Sequence, residues 1–402
     1  MTLIEFFDEN RIENIACALQ YAPEQVVIIG HSSKHLAAAA ESYNALVRAR
    51  GIDTEFYYRA VTRNDLSDIV DMLSQTVEQS ENCVLELTGG DDLYLVAAGI
   101  VAARFGAQVH LSRMNLFEGK IKRMLPKGSV TAELDILLKV EENIRIYGGR
   151  LQQPGEHADA EHWVLDKEFC EDVRRIWSVC YRTKKWNNLL STIALIQSRM
   201  GKDLAVSGTL RQIPEVSSDR LQVCIELLTE LEQAKLIHDL SYEKGKLQFG
   251  YKNTQVRRVL TKAGQALELW LAVQMKEMER DGKPLFSDIR VGALLEWDDK
   301  PSALWGGTDV GNEIDVLAMK GALPLFISCK NGKVETEELY KLSLVAERFG
   351  GIYAKKALLV RNLDMSVKSA AHFRARAAEM GIALLELEEM GEDKVIDRIQ
   401  KL

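Results

Sequence analysis

Two acids and a lysine stand at the ends of two short apolar segments, Asn312-Glu313-Ile314-Asp315-Val316 and Phe326-Ile327-Ser328-Cys329-Lys330. Both segments read as strands, and period-two geometry puts Glu313 with Asp315 on one face and Ser328 with Lys330 on one face. An apolar strand does not bury such charges without an electrostatic partner, because an unpaired buried charge is costly. A hard divalent ion supplies one: magnesium or manganese takes carboxylate, carbonyl and water oxygens, here from Asp315, the Cys329 carbonyl and Glu268 or Glu313. Lys330 would orient an attacking water and stabilise charge on phosphorus while the ion lowers the water pKa. The expected chemistry is metal-dependent phosphodiester hydrolysis, with Glu268, Glu313, Asp315 and Lys330 as the catalytic set. The plain alternative is an Asp315–Lys330 salt bridge across a hairpin.

Charge is arranged as that chemistry requires. The 402-residue chain has a net charge of -8, which argues against non-specific coating of nucleic acid. Residues 268–319 carry 11 acids and 5 bases, whereas 320–379 carry 11 bases and 6 acids. Carboxylates for a metal are thus followed by cations for a phosphate backbone. Lys333, Lys341, Lys355 and Lys356 are the nucleic-acid-binding candidates, joined by Arg374 and Arg376. The interleaved Glu335, Glu337 and Glu338 allow a plain solvated helix instead. Trp305 beside Gly306-Gly307 reads either as a platform for an unpaired base or as a loop anchor.

These residues need elements to hold them. A helix over 261–280 carries Glu268; strands follow at 286–297, 313–319 and 325–330, then a helix at 336–348, a strand at 353–360, a helix at 366–380 and a strand at 382–387. Residues 258–402 therefore form a compact mixed unit. Residues 1–150 alternate strands and helices: Gln25-Val26-Val27-Ile28-Ile29-Gly30 and Cys83-Val84-Leu85-Glu86-Leu87 are short apolar runs, each followed by a helix, as in an open α/β sheet with crossovers. After a polar connector at 151–160, residues 161–255 give helices at 169–180, 186–200 and 219–233 and a short hairpin, a winged-helix-like pattern. Glu226, Glu230 and Glu232 make its third helix a poor reader of DNA, so it reads as a spacer or dimerisation element.

Open sheets bind ligands beyond the C-terminal ends of their strands. Those ends are Gly30-His31-Ser32-Ser33-Lys34-His35 and Thr88-Gly89-Gly90-Asp91-Asp92. Glycines permit close backbone approach, and amides and hydroxyls can serve phosphate or ribose. Neither loop is a dinucleotide or nucleoside-triphosphate fingerprint. Asp91 and Asp92 read as helix caps or as acceptors of hydroxyl and base N–H donors.

Six scattered cysteines form neither a staple nor a zinc knuckle and read as reduced core residues. No segment is long and apolar enough to cross a bilayer, and the start lacks a secretory pattern, so a cytoplasmic address is expected.

Together, Gly311 to Val316 and Phe326 to Lys330 resemble the active-site strands of restriction-endonuclease-like nucleases of the PD-(D/E)xK type. Leu87-Thr88-Gly89-Gly90 resembles the ligand loop of the Rossmann-like CARF sensors. Their order, sensor then winged-helix-like connector then nuclease, resembles the cyclic-oligoadenylate-activated ancillary nucleases of type III CRISPR systems across the whole chain. The resemblance implies a homodimer binding one cyclic tetraadenylate across its two-fold axis and cutting DNA, RNA or both with manganese or magnesium. Carried over, Thr88, Gly89 and Gly90 match the sensor motif, with Gly30 to His35 as the first crossover loop; Asp315 and Lys330 match the metal acid and the lysine, and Glu268 the helix acid. Ser328 departs from the pattern, which has an acid two residues before the lysine. Two other readings stand beside this one: a nucleotide-sensing transcriptional regulator and a constitutive repair or restriction nuclease.

Overall fold

A computed structural model describes residues 1–124, 128–153, 163–297 and 311–402. The fold is mixed α/β. Strands β1 (Thr2–Phe6), β2 (Gln25–Gly30), β3 (Glu55–Ala60), β4 (Cys83–Glu86), β5 (Val109–Asn115), β6 (Lys120–Met124) and β7 (Ser129–Glu133) form one sheet, ordered β3-β2-β1-β4-β5-β6-β7. β1 to β5 are parallel, and β6 and β7 extend the sheet antiparallel. Helices α1 (Glu13–Tyr21) and α2 (Ser33–Ala49) cover one face, and α3 (Leu66–Glu78) and α4 (Asp92–Phe105) the other. The alternation in β2 shows why the strand is apolar throughout: Val26 and Ile28 point into one core, Val27 and Ile29 into the other. The β5–β7 extension has no counterpart in the sequence reading.

After α5 (Val140–Ile146) and β8 (Arg150–Leu151) come α6 (Lys167–Arg182), α7 (Trp186–Met200), β9 (Gly201–Lys202), β10 (Ala205–Thr209), α8 (Ser218–Gln233), β11 (Ile237–Glu243) and β12 (Lys246–Tyr251). The strands pair in the order β11-β12-β10-β9, two more than expected. The β11–β12 turn is Lys244-Gly245, both with positive φ, the backbone a two-residue hairpin demands.

The expected single helix over 261–280 is interrupted at its start and ends early. α9 (Thr254–Thr261) ends before Gly264, whose φ is +96°, and α10 (Gln265–Lys276) starts after it. Asp281-Gly282, both at positive φ, then turn β13 (Glu279–Arg280) into β14 (Lys283–Pro284). Beyond lie β15 (Asp288–Glu296), β16 (Asn312–Lys320), β17 (Leu323–Lys330), α11 (Glu337–Gly350), β18 (Lys355–Val360), α12 (Val367–Glu379), β19 (Ile382–Glu386), α13 (Leu387–Met390) and α14 (Glu392–Lys401). The second large sheet runs β19-β18-β17-β16-β15-β8. Its edge strand is Arg150–Leu151, the start of the expected connector, whose residues 154–160 lie outside the described ones.

The second sheet has a different partner on each face. On one side α10 packs it against α6, with Trp177 and Trp270 stacked at 5.0 Å between ring centres. On the other, Leu317, Phe326 and Phe349 share a core with Ile146, Tyr147 and the helices α1 and α2 of the first sheet. Removing a buried aromatic such as Trp270 or Phe349 should cost about 3–5 kcal/mol.

Candidate functional site

The β16–β17 ladder ends early. Backbone pairing runs from Lys320–Leu323 to Val316–Ile327 and goes no further, so the two strands part at Asp315. The Asp315 carboxylate takes over there: Oδ2 accepts the Cys329 N–H at 2.6 Å, the Ser328 hydroxyl at 2.9 Å and the Lys330 ammonium at 3.5 Å. A side chain thus satisfies an amide at the split, as buried backbone donors require.

Gly292 helps aim this split. It sits inside β15 with φ +63°, and the strand changes face around it: Val291 lies in the core beneath α10, Ala293 and Leu295 in the opposite core. Their partners follow, Val316 in the first core and Ile314 in the second. Simple period-two alternation therefore fails between 314 and 316, because a positive-φ residue in a strand behaves as a bulge and re-aims its neighbours. Glu313, Asp315, Ser328 and Lys330 still line one cavity of about 350 Å³, with Glu338 and Lys341 of α11 on its far wall.

Electrostatics bind these groups together. Burial pulls the Lys330 ammonium down, but Asp315 and Glu338 more than offset it and hold its pKa above the ordinary lysine value. Lys330 is therefore a fixed cation near neutral pH and suits charge stabilisation better than proton removal. Glu268, in the first turn of α10, approaches from the opposite face of the sheet and does not line the cavity. Its carboxyl is held well above the usual carboxylate range, first by burial, then by Asp315 and Glu313. Like charges gathered around one partly buried acid are the donor chemistry that suits a hard divalent cation. Among the described residues, however, no three His, Cys, Asp or Glu side chains stand ready-made as a metal-holding group. Cys329 reaches the centre through its N–H; its thiol is buried and raised well above normal, which leaves it inert.

The four lysines expected to meet nucleic acid scatter. Lys341 lines the cavity and pairs with Glu338 at 3.2 Å. Lys333 is exposed outside that cavity and pairs with Glu335 at 3.0 Å. Lys355 and Lys356 pair with Leu325 and Phe326, four to five residues before Lys330, about 13–17 Å along the strand. Lys355 lies 5.0 Å from the Phe117 ring centre, and Lys356 donates to Ser343 at 2.9 Å. Trp305 to Gly307 fall outside the described residues.

At the first sheet, Thr88 and its glycines are fixed from below. Buried Glu86 accepts the Thr88 N–H and hydroxyl, both at 2.7 Å, and the Met114 N–H at 3.0 Å. Burial nevertheless pushes Glu86 up to about 7. Asp8 accepts the Gly90 N–H at 3.3 Å, and a Cβ at Gly89 would lie 2.8 Å from the Phe6 carbonyl, so these glycines are close-packed whatever they bind. Asp91 caps α4, accepting from Leu93 and Tyr94. Gly30 packs against Phe7, and the loop beyond it is open: His31, Ser33 and Lys34 are exposed, and Ser32 heads α2 without using its hydroxyl as a cap.

A cavity of about 710 Å³ adjoins Thr88, lined also by Arg113, Asn115, Lys120 and Lys122 of β5–β6 and by Tyr353 from the other half. The basic hairpin has no counterpart among the residues expected from the sequence, and Glu338 stands there only as one charge of a solvated helix. Lysines alternating along Lys120-Ile121-Lys122 were the available signal for the first. For the second it was the missing acid at Ser328, with an acid in the first turn of the next helix.

No family model matches the chain, and no curated protein matches it. Solved structures do. Protein VC1899 from Vibrio cholerae superposes with a TM-score of 0.74 at 18% identity, over 100% of this chain and 97% of that one. Can2 from Sulfobacillus thermosulfidooxidans, solved with cyclic tetra-adenylate, gives 0.64 at 16% identity, over 100% and 97%. A type III CRISPR defence DNA nuclease activated by cyclic oligoadenylate gives 0.51 at 13% identity, over 91% of this chain and 46% of that one. At these identities the likeness is one of fold, and the last two belong to the group that the sequence resembles.

Proposed function

We propose that this chain is a metal-dependent endonuclease activated by cyclic tetraadenylate, acting on DNA, RNA or both in type III CRISPR antiviral defence. The carrying observation is the split between β16 and β17, where Asp315 gathers Ser328, Cys329 and Lys330 at the mouth of a cavity. In this reading residues 1–150 are the CARF-type sensor, 161–255 the winged-helix-like connector and 258–402 the restriction-endonuclease-like unit. Fold likeness to a cyclic tetra-adenylate complex over the whole chain supports that division.

Asp315 and Glu268, with the Cys329 carbonyl and Glu313 beside them, would hold manganese or magnesium, which supplies a water of lowered pKa and a polarised phosphate. Lys330 holds its proton and faces the phosphate as a cation, stabilising the negative charge that builds during attack. Lys341 extends that positive field along the cavity wall, with exposed Lys333 as a further candidate, whereas Lys355 and Lys356 would meet only a strand long enough to reach the far end of β18.

The activator would lie on Thr88, Gly89, Gly90 and Asp91 and on Gly30, His31, Ser32, Ser33 and Lys34. The free N-terminus of α2 and its exposed lysine suit phosphate. The surface beside that loop supports a homodimer: Leu95, Val96 and Ile100 leave an apolar face of α4 exposed. No helix among the described residues is long and apolar enough to cross a membrane, and the reading places the protein in the cytoplasm.

The test is a cleavage panel with plasmid, single-stranded DNA and RNA, each with and without cyclic tetraadenylate and manganese. Product that needs both additions is expected. Activity indifferent to the activator would favour a constitutive nuclease. A metal-independent footprint on duplex DNA, with no cleavage, would favour a regulator.

A further inference from the structure

Ser328 stands where an acid would be expected two residues before Lys330, and it donates its hydroxyl to Asp315 instead of adding a charge. Across the cavity, Glu338 Oε2 lies 3.2 Å from the Lys330 ammonium, which has Asp315 on its other side at 3.5 Å. Glu338 comes from the first turn of α11 and is steadied by Lys341 at 3.2 Å. We propose that Glu338 is a positioning residue for cleavage: it supplies from α11 the carboxylate that the strand lacks at Ser328 and fixes the Lys330 ammonium against Asp315. This rests on the nuclease reading above.

The charges explain the arrangement. A glutamate at 328 would set two carboxylates side by side, tolerable only with a cation between them. With the acid on α11, the order is Asp315, Lys330, Glu338, so signs alternate and Lys330 separates the like charges. A lysine side chain is long and flexible, and gripping it from two walls removes the freedom that would blur its aim. The pair is also no ordinary surface contact: the Lys330 and Glu338 side chains are 29% and 24% exposed and line the same cavity as Asp315.

The full-length protein, with cyclic tetraadenylate and manganese, is assayed as wild type, Glu338→Gln, Glu338→Asp, Ser328→Glu/Glu338→Gln and Asp315→Asn. Glu338→Gln should lose roughly 10- to 100-fold in kcat with little change in KM. Glu338→Asp and the double variant should each regain part of the rate. A readout without metal or substrate is acylation of Lys330 mapped by mass spectrometry, which should quicken in Glu338→Gln. Wild-type kcat and an unchanged rate of Lys330 acylation in Glu338→Gln, beside an inactive Asp315→Asn, would overturn this proposal alone. Wild-type cleavage by Asp315→Asn would instead remove the nuclease reading beneath it.

Discussion

Tyr353, in the turn that follows α11, donates a 2.5 Å hydrogen bond to Oε1 of Glu13 on α1, and both residues are buried. Beside it, Asn10 accepts the Ile352 N–H at 3.1 Å while donating its own N–H to Asp8, which also holds the Gly90 N–H. The glycine loop of the first sheet is thereby joined to the C-terminal end of α11. Glu338 and Lys330 sit at the other end of that helix, about 21 Å away at the usual helical rise. A ligand on the loop can bias the cavity only through an element that differs between states, and α11 is the rigid body touching both.

Tyr353→Phe tests that link. The ring keeps its place beside Phe117, 4.9 Å between centres, and only the hydroxyl is lost. Activator affinity should stay near wild type, while the ratio of cleavage with and without activator falls about five-fold, equivalent to a coupling of about 1 kcal/mol. Parallel titrations of binding and cleavage measure both. An unchanged ratio removes this contact from the coupling.

Glu13 predicts a pH dependence. Burial lifts its carboxyl to about 7 even though Tyr353 works against the shift. A folded value above the unfolded 4.5 means that the folded state binds the proton more tightly. The resulting stability is complete below about pH 4.5 and is lost as pH rises through about 7. Glu13→Gln keeps the acceptor for Tyr353 and removes the titration. Compared with wild type it should be near neutral at pH 5 and more stable at pH 8, by at most about 3 kcal/mol. Urea unfolding at the two pH values checks the sign; a loss at pH 8 would contradict it.

The sequence made the strands legible because their burial is written in their composition: β2, β16 and β17 are apolar runs that tertiary contacts merely confirm. Asp315 and Lys330 stood out as charges in such runs. The β5–β7 extension did not, since β7 is exposed at every position and carries no apolar signal. The single helix expected over 261–280 begins only after Gly264, where positive φ breaks the helical path, and ends at Lys276. Glu338 was hidden for another reason: among Glu335 and Glu337 it looks like helix decoration, and only the fold places it against a lysine eight residues earlier.

Asp315→Asn should abolish cleavage, by 10³-fold or more at about the scale seen when a central charged group is lost. Stability should fall by only about 1–2 kcal/mol, because the amide oxygen can still accept the Cys329 N–H while the charge facing Lys330 is gone. Sensor binding, on the other sheet, should be untouched. Single-turnover cleavage and activator titration on the same preparation separate the two effects, and wild-type cleavage would reject the site.

Gly90→Ala should destabilise the loop from two directions. Its φ of +86° is unfavourable for any side chain, and the added Cβ would lie 2.6 Å from Cβ of Phe6, a fully buried strand residue that cannot yield. Together these should cost about 2–4 kcal/mol. Activator binding should weaken more than the unfolding midpoint alone suggests, because Gly90 also fixes Asp8. Thermal unfolding with and without activator distinguishes them; a wild-type midpoint would show that the backbone there relaxes freely.

Val96→Lys probes the proposed subunit interface. Val96 is 51% exposed and lies with Leu95 and Ile100 on the open side of α4, while Tyr94, Ala97, Ala98 and Val101 fill the core. A lysine therefore leaves the fold intact: exposed substitutions stay within about 0.5 kcal/mol. If two copies meet on this face, identical residues face each other across the two-fold axis and the substitution sets two cations against apolar surface. Light scattering should then show a monomer at concentrations where wild type is a dimer, with activator-dependent cleavage lost although the unfolding midpoint is unchanged. A dimer as stable as wild type would move the interface elsewhere.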